Sequence, residues 1–182
     1  MSRSNILFSL TGSIACYKAC QIVSRLVADG CEVKAVCTPA ALRFVGAATL
    51  EGLTNKPVYA DMFEAKTALD HVDLAKWADL SIICPATANT ICKLAAGIGD
   101  NAVTTLFLAH DFPKPCLVAP AMNQAMWAHP ALRRALDTLK GWGVTVLDVD
   151  FGRQACGDVG PGRLLDPERI YEAIRRALEA RR

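Results

Sequence analysis

Two polar stretches, each directly behind a short apolar run, hold the residue types best suited to chemistry. Pro120 to Trp127 reads PAMNQAMW and follows Pro115-Cys116-Leu117-Val118-Ala119; Pro85 to Thr90 reads PATANT and follows Leu80 to Cys84. Amides, hydroxyls and a thioether placed there would lie at the carboxyl ends of strands, where an open α/β sheet binds its ligand. Each stretch also has a plain structural reading. Pro120 ends a strand, Asn123 caps a helix over Gln124 to Trp127, and Met122 and Met126 fill core space. The recurrence of the pattern behind two separate strands is what points to one shared cleft.

Those stretches need a sheet to hold them. Asn5 to Leu10, Glu32 to Cys37, Leu80 to Cys84, Cys116 to Ala119 and Val144 to Leu147 are five strand-like runs. Between them come segments with apolar residues at helical spacing: Ile14 to Asp29 with Ile14, Ile22 and Leu26, then Ala40 to Leu53 with Phe44, Val45 and Leu50. Thr90 to Ala96, Asn101 to Leu108, Pro130 to Lys140 and Pro167 to Ala180 continue the helical series, with Gly30 and Gly141 as stops. Strands alternating with helices predict an α/β protein with a doubly wound parallel sheet. Asp61 to Asp70 is polar and aperiodic and reads as a surface loop, while His71-Val72-Asp73-Leu74 alternates like a short extended arm. Phe151 to Gly162, FGRQACGDVGPG, is glycine-rich and reads either as a mobile flap over a cleft or as a merely irregular connection; it carries Cys156, the one cysteine outside a predicted helix or strand.

The first turn, Thr11-Gly12-Ser13, leads from a strand into a helix, where free backbone N–H groups and the helix dipole favour a phosphate. A plain tight turn with Ser13 as N-cap fits the same residues. The GxGxxG fingerprint is missing, and Thr38 stands at the end of the second strand where a dinucleotide site keeps an acidic residue. A mononucleotide therefore suits this loop better than NAD.

Composition narrows the classes further. The 182 residues, 52% hydrophobic and 21% charged, are read as a single domain over 1–182 with a sizeable core. Twenty Lys and Arg against 18 Asp and Glu give no general pull toward nucleic acid, and Arg175, Arg176, Arg181 and Arg182 gather around one helix end, where they complement its dipole. Eight cysteines without a CxxC pair, most inside apolar patterns, predict reduced thiols, a cytoplasmic location and no metal site. Cys16 and Cys20 lie four apart on a predicted helix with no further ligands nearby. No apolar run approaches the roughly 20 residues of a membrane span.

TGSIACYK at 11–18, HVDLAKWAD at 71–79, PATANT at 85–90, PAMNQAMW at 120–127 and ACGDVGPGR at 155–163 together resemble the flavin-dependent cysteine decarboxylases, and within them the phosphopantothenoylcysteine decarboxylases of coenzyme A synthesis. The family's usual PASANT stands here as PATANT, which keeps the hydroxyl. The resemblance implies a Rossmann or flavodoxin-like flavoprotein with FMN at the strand ends. Matching positions for FMN are Gly12, Ser13, Ile14, Thr38, Phe44, Thr87, Ala88, Asn89, Thr90 and Ala121. It implies His71 and Cys156 as catalytic groups, and Asn123, Met126, Arg153, Gln154 and Ala155 as substrate contacts. It also implies trimers, sometimes assembled into dodecamers, in which His71 serves a neighbour's flavin. A separate phosphopantothenate–cysteine ligase is expected as a metabolic partner.

The implied chemistry accounts for these residue types. A carboxylate on the α-carbon of a cysteine amide leaves badly until the CH2–SH arm is oxidised to a thioaldehyde, with FMN as hydride acceptor. CO2 then departs to an enethiol, which must be reduced and protonated. The resemblance assigns that proton to Cys156 and an acid–base or orienting role to His71; a thiol in water is mostly protonated at neutral pH and can give one. Asn123, a neutral amide, can hold the carboxylate without an ion pair that would stabilise the ground state. Three rivals stand beside this reading. A peptidyl-cysteine decarboxylase shares the flavin, His and Asn; a non-catalytic flavin-binding regulator would work by binding a partner protein; flavin prenyltransferases share the fold with different motifs.

Overall fold

A computed structural model describes residues 4–62 and 70–181. Five parallel strands form the central sheet: β1 (Asn5–Leu10), β2 (Glu32–Cys37), β3 (Leu80–Ala86), β4 (Cys116–Pro120) and β5 (Thr145–Val146), in the order β2-β1-β3-β4-β5. Ile6 lies opposite Val33 and Leu80, and Phe8 opposite Ala35 and Ile82, so β1 runs in register with β2 and β3 on its two sides. Their near-continuous apolar sequence follows from burial on both faces. Side chains alternate between two cores, as the period of a strand requires. Ile6, Phe8, Leu10, Ile82 and Leu117 pack on one face, while Leu7, Ile83 and Val118 pack on the other.

Helices cover both faces. The first core is closed by α1 (Cys16–Ala28) through Ile22 and Leu26, and by α8 (Pro167–Glu179) through Ile170 and Ile174; α2 (Ala47–Thr54) adds Leu50. The second is closed by α4 (Ala88–Ala95), α5 (Ala102–Leu108) and α7 (Pro130–Gly141), through Ile91, Leu94, Leu106, Leu136 and Leu139. A short helix, α6 (Gln124–Ala128), follows β4. The segment after β2 is split: a 3-10 turn at Ala41–Arg43, then α2 beginning only at Ala47. Phe44 lies in that break and is 50% exposed, so it is not an apolar member of a continuous helix.

Two expectations change, and a third falls mostly outside the described residues. Residues 71–74 are not an extended arm but part of α3 (Asp70–Trp77), because Leu74, Ala75, Trp77 and Ala78 continue the segment at helical spacing and Ala75 and Ala78 are buried. Four alternating residues cannot separate a strand from a helix. The surface loop expected over 61–70 falls largely on residues 63–69, outside the described residues. Helix α1 starts at Cys16 rather than Ile14; Ile14 is 59% exposed, and Ser13 Oγ accepts the Ala15 N–H at 3.2 Å ahead of the helix instead of capping it.

The glycine-rich flap is an antiparallel hairpin, β6 (Val149–Arg153) paired with β7 (Val159–Leu164). Its tip is closed by Gln154 N–H to Asp158 O at 2.7 Å and Gly157 N–H to Gln154 O at 3.0 Å. Phe151 is 71% exposed, so no one-sided apolar alternation announces these strands. The hairpin is clasped to the end of β4 by the Met122 N–H, which donates to Gly162 O at 2.8 Å. Gly162 has φ +125°, and a Cβ there would stand 2.5 Å from the Met122 carbonyl oxygen. Gly162→Ala is therefore expected to cost about 1–3 kcal/mol and to detach the hairpin. A lowered urea midpoint together with faster proteolysis between 154 and 158 checks this; an unchanged midpoint and cleavage rate would contradict it.

Candidate active site

Loops at the carboxyl ends of β1 and β3 are joined by one buried hydroxyl. Thr11 Oγ1 donates to Pro85 O at 2.7 Å and accepts the Thr87 N–H at 3.0 Å. Thr87 then caps α4, its Oγ1 accepting the Thr90 N–H at 3.3 Å and lying 3.1 Å from Thr90 Oγ1. On the other side the turn presses on the segment behind β2: a Cβ at Gly12 would come within 2.7 Å of Ala40 Cβ. Only glycine leaves room for that approach.

The result is a cavity of about 640 Å³ over the strand ends, lined by Gly12, Ser13, Thr38, the stretch Thr87 to Thr90, Ala121 and Met126. It gathers eight of the ten positions matched to a cofactor. Among the described residues, the backbone N–H groups of Gly12, Ile14, Ala88 and Asn89 donate to no protein acceptor. Two of them begin α4, where the helix dipole adds to their partial positive charge. Phe44 does not line this cavity. Lys93 and Asp100 do, as an ion pair in which the ammonium holds the Asp100 carboxyl below the usual carboxylate range. Sequence reading passed over them.

A second cavity, about 590 Å³, lies under the hairpin and shares Ser13, Ala121 and Met122 with the first. Its walls are Ile14 to Lys18 on one side and Asn123, the hairpin tip 153–156 and residues 162–164 on the other. Asn123, Arg153, Gln154, Ala155 and Cys156 thus meet here, and Ile14 faces this cavity rather than the first. Met126 is the reverse: expected beside the substrate, it lines the first cavity, 46% exposed, and so is not core filling either. Met122, half-buried, packs on the second core.

Asn123 is the helix cap expected of it, and its amide also stands among the residues matched to the substrate. Its Oδ1 caps α6 by accepting the Ala125 N–H at 2.7 Å, which fixes the amide plane. Its Nδ2 then points at the hairpin tip, 3.2 Å from Gln154 Oε1, 3.1 Å from Cys156 Sγ and 3.0 Å from Asp158 Oδ2. Gln154 Oε1 also accepts the Gln124 N–H at 3.1 Å, and Gln154 Nε2 donates to Pro161 O at 2.9 Å. Asp158, 3.4 Å from Cys156 Sγ, belongs to this cluster and was missed, although ACGD carries it.

All eight cysteines are free thiols, but they are unlike one another. Burial pushes the Cys37 and Cys116 thiols up to about 12 and raises Cys84 further in the same direction. Cys156 is exposed at the hairpin tip among polar partners. His71, half-exposed on α3, lines neither cavity, so the chain by itself does not bring it to Asn123 and Cys156.

A family model described as Flavoprotein matches residues 1–179. The coenzyme A biosynthesis bifunctional protein CoaBC of Bacillus subtilis is 44% identical over 174 residues, 94% of this chain and 42% of that protein. The chain thus spans about two fifths of the length of the curated relatives it matches. Among solved structures, a mutant PPC decarboxylase complexed with pantothenoylaminoethenethiol superposes with a TM-score of 0.89 at 34% identity, covering 97% of this chain and 99% of that one. The FMN binding protein AtHal3 gives 0.85 at 34%, with 98% of each chain covered. Matched over nearly its whole length, the chain belongs to the flavoprotein family.

Proposed function

We propose that the chain is an FMN-dependent carboxy-lyase that converts 4'-phosphopantothenoylcysteine to 4'-phosphopantetheine and CO2 in coenzyme A synthesis. The observation that carries this reading is the pair of contiguous cavities meeting at Ser13, Ala121 and Met122. One offers unpartnered backbone donors at the strand ends, and the other holds an oriented amide beside an exposed thiol. The donor set of the first fits FMN: Gly12, Ala88 and Asn89 supply N–H groups, and Ser13, Thr38, Thr87 and Thr90 supply hydroxyls. The sheet order β2-β1-β3-β4-β5 also puts this cavity at the point where the strand order reverses.

FMN, when bound, supplies the two-electron oxidation of the substrate's CH2–SH arm and the later reduction of the enethiol. Asn123 Nδ2 holds the carboxylate without a formal charge, so the anion is positioned but not stabilised against losing CO2. Gln154 and the hairpin tip cover the substrate and exclude water, and Cys156 Sγ–H delivers the proton that completes the product. His71 takes the acid–base or orienting role from a neighbouring copy in a trimer; its place outside both cavities of its own chain supports that assignment. Trimers could build further into dodecamers, with the phosphopantothenate–cysteine ligase acting as a partner protein. Eight free thiols support a cytoplasmic location.

The purified protein is expected to be yellow, or to become so with FMN, and to release CO2 from phosphopantothenoylcysteine but not from a peptide ending in cysteine. A protein that binds no flavin, or prefers the peptide, would refute the assignment.

Cys156→Ser separates proton donation from packing. With FMN bound and oxygen removed, the variant is expected to bleach its flavin and release about one CO2 per site, accumulating enethiol, because a serine hydroxyl is far less acidic than a thiol. Multiple turnovers to phosphopantetheine would remove Cys156 from the mechanism.

Sharing of the site between subunits is tested by mixing. His71→Asn and Cys156→Ser should each be inactive in full turnover, and co-assembled chains should regain activity where an intact His71 meets an intact Cys156. Failure to regain it in verified mixed assemblies would place both groups in one chain.

A further inference from the structure

Arg25 pairs with Glu168, Lys56 with Glu32, Lys93 with Asp100, Arg175 with Glu179 and Arg181 with Asp79. The cations of the cavity under the hairpin are placed differently. Lys18 from the first turn of α1, Arg153 from the end of β6 and Arg163 from β7 all line it, and none of the three forms an ion pair among the described residues. No Asp or Glu is among its lining residues. Three like charges drawn from three segments into one concave, partly apolar space repel one another unless an anion joins them.

Arg163 lies over Gly152 of the facing strand. Gly152, whose cross-strand partner is Gly160, has φ +152°, and a Cβ at that position would stand 2.4 Å from Arg163 Nη1 and 3.4 Å from its Cδ. The absence of a Cβ there gives the guanidinium room beside the strand. An arginine fork is suited to a phosphate, which it can grip by two parallel N–H···O bonds. On the decarboxylase reading the reacting end of the substrate does not need these charges, because its carboxylate is assigned to the neutral amide of Asn123, whose Nδ2 faces Asp158 Oδ2 in the free chain.

We infer that Lys18, Arg153 and Arg163 form a phosphate subsite that selects phosphorylated over unphosphorylated substrate. The inference rests on the decarboxylase reading and assigns the far end of its substrate. The other phosphate in the system belongs to FMN, and the two sources are separated by where a loss appears.

FMN-loaded wild type, Lys18→Gln, Arg163→Gln and the double variant would be assayed on phosphopantothenoylcysteine and on pantothenoylcysteine. Flavin content after desalting and binding of phosphopantetheine and pantetheine by calorimetry would be measured on the same samples. The expected result is a wild-type preference for the phosphorylated substrate and product that falls roughly 10–100-fold per removed charge, with flavin content kept. Equal losses on both substrates, or an unchanged preference, would show that these cations act on the fold or the chemistry and would overturn the subsite. Loss of FMN in place of substrate preference would assign them to the cofactor's phosphate and overturn it equally. Should wild type decarboxylate neither compound, the functional reading fails; the calorimetry still decides the subsite, by whether phosphopantetheine outbinds pantetheine and loses that advantage in the double variant.

Discussion

A single buried hydroxyl sets the geometry on which the cleft depends. Thr11 Oγ1 both gives and takes a hydrogen bond, to Pro85 O and from the Thr87 N–H, across 74 residues or more of sequence. It is 1% exposed, so neither bond competes with bulk water; without the hydroxyl Pro85 O would keep the Thr11 N–H at 3.3 Å, but the Thr87 N–H would lose its acceptor at a cost of about 1–3 kcal/mol. Because the two loops are tied, the turn at Gly12 and Ser13 and the residues opening α4 line the same space. Neither loop would line it alone. The shape of the first cavity is thus a consequence of sheet order: β1 and β3 are neighbours, and their following chains leave on opposite faces.

A second junction hangs the hairpin on that frame. Met122 N–H to Gly162 O joins β7 to the end of β4, and Asn123, the next residue, turns its amide to the hairpin tip while capping α6. The cap matters for the chemistry because it removes one rotational freedom. With Oδ1 committed to the Ala125 N–H, Nδ2 can face only Gln154, Cys156 and Asp158. The cap on α6 and the contacts to the hairpin tip are made by two ends of one planar group.

How much of this was legible before the structure depends on sequence separation. The central strands were plain because both their faces are buried, which leaves apolar runs such as ILFSL and LVA. The cleft was plain because polar residues follow two of them. The helix α3 was hidden by a four-residue stretch too short to show its period, and the hairpin by glycines at 152, 157, 160 and 162 where cross-strand side chains would otherwise alternate. Thr11, Lys18, Asp158 and Arg163 were not singled out, since each acts through a segment brought near only by folding: Thr11 through Pro85, Asp158 through Asn123 35 residues away. Phe44 and His71 differ again. Their matched roles need something this chain does not place beside them.

The two cavities also differ in how they carry positive potential, and that difference suits their contents. In the first, the lysine is neutralised by Asp100, and the remaining attraction for an anion comes from backbone N–H dipoles. Dipoles of this kind fall off over a short distance and require close, shaped contact, which favours a rigid group that stays bound. In the second, attraction comes from full charges on flexible or half-exposed side chains, Lys18 and Arg153 with Arg163, which act over a longer range and weaken with salt. Charges of that sort draw a small anionic molecule from solution and release it again. A chain that must retain one phosphate compound through many cycles and exchange another at each cycle has reason to use backbone for the first and side chains for the second.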